Sequence, residues 1–487
     1  MGNFRNSVLF SIIFTLITGI LAFFINKVFS DSLGQENLGI LRLFTQLLAY
    51  LNLAELGVGA AASATLYRYL NENNIIKING VLLTVRYFYR RIGFGILILG
   101  LLFNFLLPYI INDISIEIFV VWSLYVVGIS ITYFYSDYPI ILTSDQRYQT
   151  VLIIRNLIKT TVQILQIYTL IVFESFYLFV AIFVLFNLLE WITFKVIYNN
   201  IYGDKYEKGG EKDYSVIEKT KYLFIHNLAG VLIFNTDFII ITKFIGLKIV
   251  AIYSSYLMIT KFIELIFNSI VNVIRPKIGK IVASCDENKI LFYFNGLLVV
   301  NIYIAAIIAF VTYYTIGFIV QLWMGNEYIL QSSTLLLMSV NLFINIFRRT
   351  IDIFKEVSGY YNDIHLPVME GFINLILSLL LVKHYGINGV IFSTVFTNII
   401  FIIIMKPWVF YSKVLKVKFN LYLKSILKYL IVLSFILFVI NFSFLSDFSL
   451  NYISLFSNSI LMMLLITVVF LSVRDFRVLI KDLFKKL

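Results

Sequence analysis

Long apolar runs separated by short polar breaks recur from one end of the chain to the other. The first, SVLFSIIFTLITGILAFFINKVF, covers 7–29, and about 20 mostly apolar residues suffice to cross a bilayer. It lacks the small-residue cleavage site of a signal peptide, so it is expected to be a retained helix. The runs predict helices over 7–29, 38–66, 87–111, 115–136, 149–173, 175–198, 221–243, 249–274, 290–315, 330–348, 361–383, 388–410, 421–441 and 454–473. The expected fold class is therefore an all-α polytopic membrane protein with about 14 transmembrane helices.

The polar breaks assign an orientation. The basic clusters Arg68/Lys77/Arg86/Arg90/Arg91, Lys205/Lys208/Lys212/Lys219/Lys221, Arg275/Lys277/Lys280/Lys289, Lys413/Lys416/Lys418/Lys424 and Arg474/Arg477/Lys481/Lys485/Lys486 fall on one side of the predicted layout. The alternate loops carry almost no Lys or Arg. Lys and Arg accumulate on the cytoplasmic side of membrane proteins, which predicts that both termini are cytoplasmic.

The longest break, 199–220, is polar and glycine-containing, and it divides the pattern in two. The predicted units are an N-terminal six-helix bundle (1–198), a cytoplasmic linker (199–220), a C-terminal six-helix bundle (221–410), and two peripheral helices with a basic tail (411–487). FSDSLGQENLGILRLF after the first span matches ITKFIGLKIVAIYSSY after the seventh, with Gly34 and Gly39 falling on Gly246 and Ala251. The halves thus register at an offset of about 212 residues, and a second weak match at about that offset places IVFESFYLFVAIFVLF on LVKHYGINGVIFSTVF. Two pseudo-symmetric six-helix bundles are expected to place a substrate pathway near the bilayer midplane.

Composition narrows the class further. Of 487 residues 60% are hydrophobic, 17% aromatic and 14% charged, and the mean hydropathy is +0.91. The net charge of +12 is shared among short loops rather than gathered on one face, so it points to membrane orientation and not to nucleic acid. A lone Cys285 allows no intramolecular disulfide, and His226, His365 and His384 show no metal-ligand spacing. There is no Gly-rich phosphate loop and no catalytic constellation, so neither an enzyme activity nor a cofactor is expected.

Ionisable groups inside spans are the candidate chemistry, because each is costly in hydrocarbon unless it faces protein or a wet cavity. Arg155, Lys159, Gln163 and Gln166 share one face of the fifth span as a cationic stripe. In the eighth span Lys261, Asn268 and Asn272 follow the same spacing, with Glu264 beside them. Arg42, Asn52 and Glu55 mark the second span, Asp237 the seventh and Glu370 the eleventh. Arg42, Arg155, Lys159 and Lys261 are the expected substrate-binding cations, lined by Asn52, Gln163, Gln166, Asn268 and Asn272. Glu55, Asp237, Glu264 and Glu370 are expected counter-charges or ion-coupling groups. Blander roles stand beside these: Lys261 and Glu264 can neutralise each other at i, i+3, and Arg42 and Arg155 can snorkel to headgroups.

The segment LGQENLGILRLFTQLLAYLNLAELGVGAAASATLYRYL (Leu33–Leu70) resembles bacterial flippases of lipid-linked oligosaccharide repeat units. These form the polysaccharide-export branch of the multidrug/oligosaccharidyl-lipid/polysaccharide (MOP) exporter superfamily. The fourteen-span layout, the central linker and YGINGVIFSTVFTN (Tyr385–Asn398) are also similar. The resemblance implies a flippase in the bacterial cytoplasmic membrane, turning a polyprenyl-diphosphate-linked oligosaccharide outward for capsule or O-antigen assembly by alternating access. Its implied partners are that lipid-linked substrate, membrane lipids, a polysaccharide polymerase with other assembly proteins, and coupling protons or sodium. The alternatives are a proton- or sodium-coupled multidrug exporter of the same superfamily, a flippase for a lipid-linked peptidoglycan precursor, and a non-transporting subunit of a polysaccharide assembly complex.

Overall fold

The structure is a computed structural model that describes residues 2–51, 58–111, 115–203, 211–214, 236–284, 287–360, 363, 365–424, 426–429, 431, 452–472 and 476–477. These are helical almost throughout. In lipid no water can satisfy an open backbone, so each segment closes its hydrogen bonds internally. The helices used below are α1 (Gly2–Leu51), α2 (Val58–Asn71), α3 (Ile75–Leu102), α4 (Ile116–Phe134), α5 (Asp137–Ser144), α6 (Tyr148–Phe173), α7 (Phe176–Tyr202), α8 (Leu247–Ser284), α9 (Glu287–Met324), α10 (Ser332–Val357), α11 (His365–Asn398) and α12 (Tyr452–Ser472). Among the described residues eight helical segments are long and apolar enough to cross a membrane. The last, His365–Val414, holds the eleventh and twelfth expected spans in one run. The expected spans 221–243 and 421–441 lie largely outside the described residues.

Several helices outrun the apolar runs that predict them. α3 begins at Ile75, well before the expected start at 87, with the Asn74 side chain accepting a hydrogen bond from the Lys77 amide at 3.1 Å as its cap. Lys77 and Arg86 read as loop residues in the sequence, but a helix can carry charges past the hydrocarbon edge.

Two compact units emerge, Met1–Ala251 and Ile252–Leu487. In the first, α1 packs on α6, α4 on α3 and α7, and α2 on α3 and α5. Polar side chains fasten these helices: Gln163 Nε2 donates to the Thr18 carbonyl at 3.1 Å, Gln166 Nε2 to that of Phe179 at 3.0 Å, and Asn187 Nδ2 to that of Gly128 at 2.9 Å. Such bonds act as glue where lipid offers no hydrophobic drive between helices. In the second unit α9 packs on α10 and α12, and α10 on α11. Asn301 Nδ2, buried on α9, donates to the carbonyls of Ile346 and Phe347 and to Thr350 Oγ1, all within 3.0 Å.

The internal repeat is written in the backbone. Positive φ values occur at Gly34 (84°) and Gly246 (124°), Gln146 (61°) and Gly359 (67°), Glu174 (46°) and Gly386 (55°), and Gly203 (53°) and Lys416 (52°). Each pair is separated by 212 or 213 residues. Two further positions, Asn73 and Gly325, have counterparts at that offset outside the described residues. Positive φ is uncommon away from glycine, so this coincidence of helix ends confirms the register read from the sequence. At Gly34 (ψ 167°) the bend splits α1 into two helices, and Asn37 Nδ2 caps the Leu33 carbonyl at 2.8 Å. Gly39 is needed for another reason: a Cβ there would lie 2.2 Å from the Leu247 carbonyl oxygen.

The repeat yields a stability prediction. Glu174 ends α6 in the left-handed conformation (φ 46°, ψ 41°), where an L side chain costs about 1 kcal/mol and glycine costs little. Glu174→Gly should raise the unfolding temperature of the detergent-solubilised protein, and Gly246→Ala should lower it by the equivalent of about 1–3 kcal/mol. An unchanged midpoint in both variants would show that neither helix end is strained.

Candidate functional site

The first unit has an open-sided cavity of about 650 Å³ lined by α1, α4, α6 and α7. This lies within the range of about 300–1,000 Å³ typical of small-molecule sites. α6 supplies Arg155, Lys159, Gln163 and Gln166, the stripe expected from helical spacing, and α1 supplies Asn26, Arg42 and Thr45. α7 adds Asn187 and Glu190, with Phe179, Phe183 and Phe186, while Tyr125 comes from α4 and Tyr135 from the α4–α5 break. At about 1.5 Å per residue, Arg155 sits about 10 Å and Lys159 about 16 Å along α6, which places the lysine well inside the helix.

Among the described residues the cavity lining carries three cations, Arg42, Arg155 and Lys159, against one carboxylate, Glu190. Each cation is held differently. The Arg42 guanidinium donates to the side-chain oxygen of Asn26, a neutral partner. Arg155 Nε lies 3.5 Å from Glu190 Oε1, and its guanidinium sits 6.0 Å from the centroid of the Phe194 ring. Lys159 has no carboxylate within ion-pairing distance among the described residues, and its side chain is exposed. Gln163 and Gln166 use their amide nitrogens to hold α6 against α1 and α7. The Gln163 side-chain oxygen is buried without a hydrogen-bond partner.

The other expected residues lie elsewhere. Asn52 and Glu55 lie outside the described residues. Asp237 is buried in the helical segment 236–244 of the first unit, close enough to Tyr50 to act on its hydroxyl electrostatically. Lys261, Glu264, Asn268, Asn272 and Glu370 belong to the second unit. There Lys261 Nζ pairs with Glu264 Oε2 at 2.8 Å, the i, i+3 neutralisation anticipated from spacing, and Asn345 Nδ2 donates to Glu264 Oε1 at 3.0 Å. Asn268 is half-buried and Asn272 exposed, without hydrogen bonds to this pair. Glu370 is 3% exposed and feels the charges of Lys406, Arg348 and Asp352.

That second group is a set of charges the sequence reading missed. Arg348 Nε donates to Asp352 Oδ2 at 2.9 Å, and Lys406 Nζ approaches Asp352 Oδ1 at 4.0 Å. Lys406 is buried in the helical run that continues beyond α11, between the π-helical turns Ile399–Met405 and Phe410–Val414. Such turns frequently accompany functional sites. Lys355 pairs with Asp363 at 2.6 Å. In the first unit Arg86 binds Asp137 Oδ2 through Nε at 2.9 Å and Nη2 at 2.8 Å. Glu190 and Asn187 were legible in principle, since both follow Phe183 at helical spacing on one face of α7.

The pairing pattern separates cavity cations by a stability test. Lys159→Ala breaks no ion pair and should shift unfolding by less than about 0.5 kcal/mol. Arg155→Ala leaves Glu190 without its cation and should cost about 1–3 kcal/mol. Thermal unfolding in detergent checks both, and equal losses would mean that Lys159 is a packing residue.

No protein-family model matches this chain, and no curated protein matches it in sequence. Solved structures do match in fold. The chain is similar to the lipid II flippase MurJ in an inward closed conformation, with 15% identity, a TM-score of 0.65, and 95% of this chain and 98% of that one covered. It is also similar to an inward-facing multidrug resistance MATE family transporter of the MOP superfamily, with 14% identity, a TM-score of 0.62, and coverage of 82% and 97%. A third similar structure is a MOP superfamily transporter from Pyrococcus furiosus, described as having a binding pocket of reverse polarity, at 13% identity, a TM-score of 0.50, and coverage of 82% and 92%. This multi-pass membrane protein has the fold of the MOP superfamily exporters.

Proposed function

We propose that the protein is a MOP superfamily flippase carrying polyprenyl-diphosphate-linked oligosaccharide repeat units from the inner to the outer leaflet of the bacterial cytoplasmic membrane, for capsule or O-antigen assembly. The observation that carries this reading is the cavity whose described lining sets Arg42, Arg155 and Lys159 against a single carboxylate, Glu190. In a membrane-spanning unit each such cation costs roughly 3 kcal/mol unless water or an anion solvates it. A diphosphate does so through charge-assisted hydrogen bonds, and arginine matches phosphate oxygens in bidentate fashion. A carrier of cationic drugs would call for the opposite excess. The likeness in fold to a lipid II flippase supports transport of a lipid-linked substrate.

In the proposed cycle the cavity opens first to the cytoplasm and then outward, while the polyprenyl tail stays in lipid. The expected bundles 1–198 and 221–410 are the proposed moving bodies, joined by 199–220. Membrane lipids and the polysaccharide polymerase are the proposed partners. Glu55, Asp237, Glu264 and Glu370 are proposed counter-charges or coupling sites for protons or sodium, with Lys261 as a further cation.

The test measures the lipid-linked oligosaccharide pool in cells lacking the protein, together with its accessibility to an impermeant external glycosidase. The intermediate should accumulate inside. Wild-type protein should restore export, and Arg42→Ala with Lys159→Ala should lower it by at least about tenfold at equal protein abundance, the loss of charge-assisted bonds worth about 1.5–3 kcal/mol each. Normal export with lost resistance to cationic dyes would instead assign a multidrug exporter; normal export without that loss would assign a subunit of an assembly complex. In the same assay Glu55→Gln should impair export without lowering abundance, whereas parallel loss of both would make Glu55 half of a structural ion pair.

A further inference from the structure

We infer that Glu190 is a built-in stand-in anion, which holds Arg155 until a phosphate group displaces it and thereby sets both the affinity and the selectivity of the cavity. The inference rests on the reading of that cavity as a site for a lipid-linked diphosphate. Arg155 is engaged with a carboxylate of the cavity, its Nε 3.5 Å from Glu190 Oε1, whereas Lys159 pairs with no carboxylate among the described residues.

The Arg155 contact is built to be exchanged. At 3.5 Å it is looser than the about 2.7–2.9 Å of a strong guanidinium–carboxylate bond. The two partners are also unequal. The Glu190 side chain is 14% exposed, lies close enough to the Tyr135 hydroxyl to interact with it electrostatically, and sits one residue from Trp191, whose ring stacks on Tyr135 at 6.5 Å. The Arg155 side chain is 54% exposed and has the Phe194 ring as a second seat. Glu190 is therefore the fixed member and Arg155 the mobile one. When an anion takes Arg155, the Tyr135 hydroxyl stays beside Glu190 and continues to interact with the carboxylate.

Binding is then an exchange of anions rather than an addition. A ligand gains Lys159 outright but gains Arg155 only by outcompeting a carboxylate. A diphosphate, with greater charge and paired oxygens matched to the guanidinium fork, can do this. A single carboxylate offers Arg155 nothing that Glu190 does not already supply. The cavity is thus selective for diphosphate over monocarboxylate, and the return of Arg155 to Glu190 drives release.

The test titrates purified full-length protein in detergent with inorganic pyrophosphate and with glucuronate. Glu190→Gln should bind pyrophosphate about tenfold more tightly than wild type, the equivalent of removing one charge-assisted pair. It should gain still more for glucuronate, narrowing the preference. Adding Arg155→Gln should abolish both gains. Should Glu190→Gln fail to fold, Glu190→Asp, which keeps the charge but withdraws it by one methylene, should change both affinities in the same direction by less. Unchanged or weaker pyrophosphate binding in the folded variant, or none in either protein, overturns the stand-in role. The flippase reading fails separately: cells would export the lipid-linked intermediate normally while Glu190→Gln still tightened pyrophosphate binding.

Discussion

A bilayer supplies neither hydrogen bonds nor counter-ions, and this constraint decides where every polar group of the protein can go. Backbone groups are satisfied by continuous helices, and helix contacts are fastened by amides such as Gln163, Gln166, Asn187 and Asn301 donating to carbonyls of the next helix. Charges have two solutions. Some are neutralised by a neighbour, as in Arg86 with Asp137, Lys355 with Asp363 and Arg348 with Asp352. Others line the cavity of the first unit, where the described residues leave a surplus of positive charge. Ion pairs of the first kind are weak grounds for function, because pairing accounts for them; the surplus of the second kind needs a ligand or water.

The repeat shows how little of this chemistry comes from the fold itself. Helix ends recur at 212 or 213 residues, yet the positions matching Arg42, Arg155, Lys159 and Glu190 at 212 are Ser254, Pro367, Gly371 and Ile402. In the other direction, Lys406 falls on Phe194, the ring beside Arg155. One frame therefore carries an ion-paired cluster in one copy and a cationic cavity in the other. Function is lodged in particular side chains, not in the shared backbone, which is why fold likeness alone does not choose a substrate.

Much of the architecture was legible because apolar runs and helical length are bound together by membrane thickness. Gly34 and Gly246 gave the register because a positive φ is a demand that few residues meet. The α6 stripe was legible for a similar reason: four polar residues on one face of an otherwise apolar helix need a common environment. Glu190 escaped notice as a single acid among aromatic residues, and Asn26 because an amide near a span end is unremarkable without its partner Arg42. Asn268 and Asn272 show the limit of periodicity. It states that residues share a face, but the neighbouring helices decide what that face meets. The buried Lys406 depends on π-helical turns, which no spacing rule anticipates.

Exposure of the cavity cations also bears on how tightly an anion can be held. Two unit charges 4 Å apart attract by about 4 kcal/mol at an effective dielectric of 20 but only about 1 kcal/mol in bulk water. Arg155 and Lys159 are exposed, so in this conformation they act in a wet, high-dielectric space. Any rearrangement that expels water strengthens each cation's hold without moving a ligand relative to it, and any rearrangement that readmits water weakens it. Affinity in such a cavity follows hydration as much as charge count.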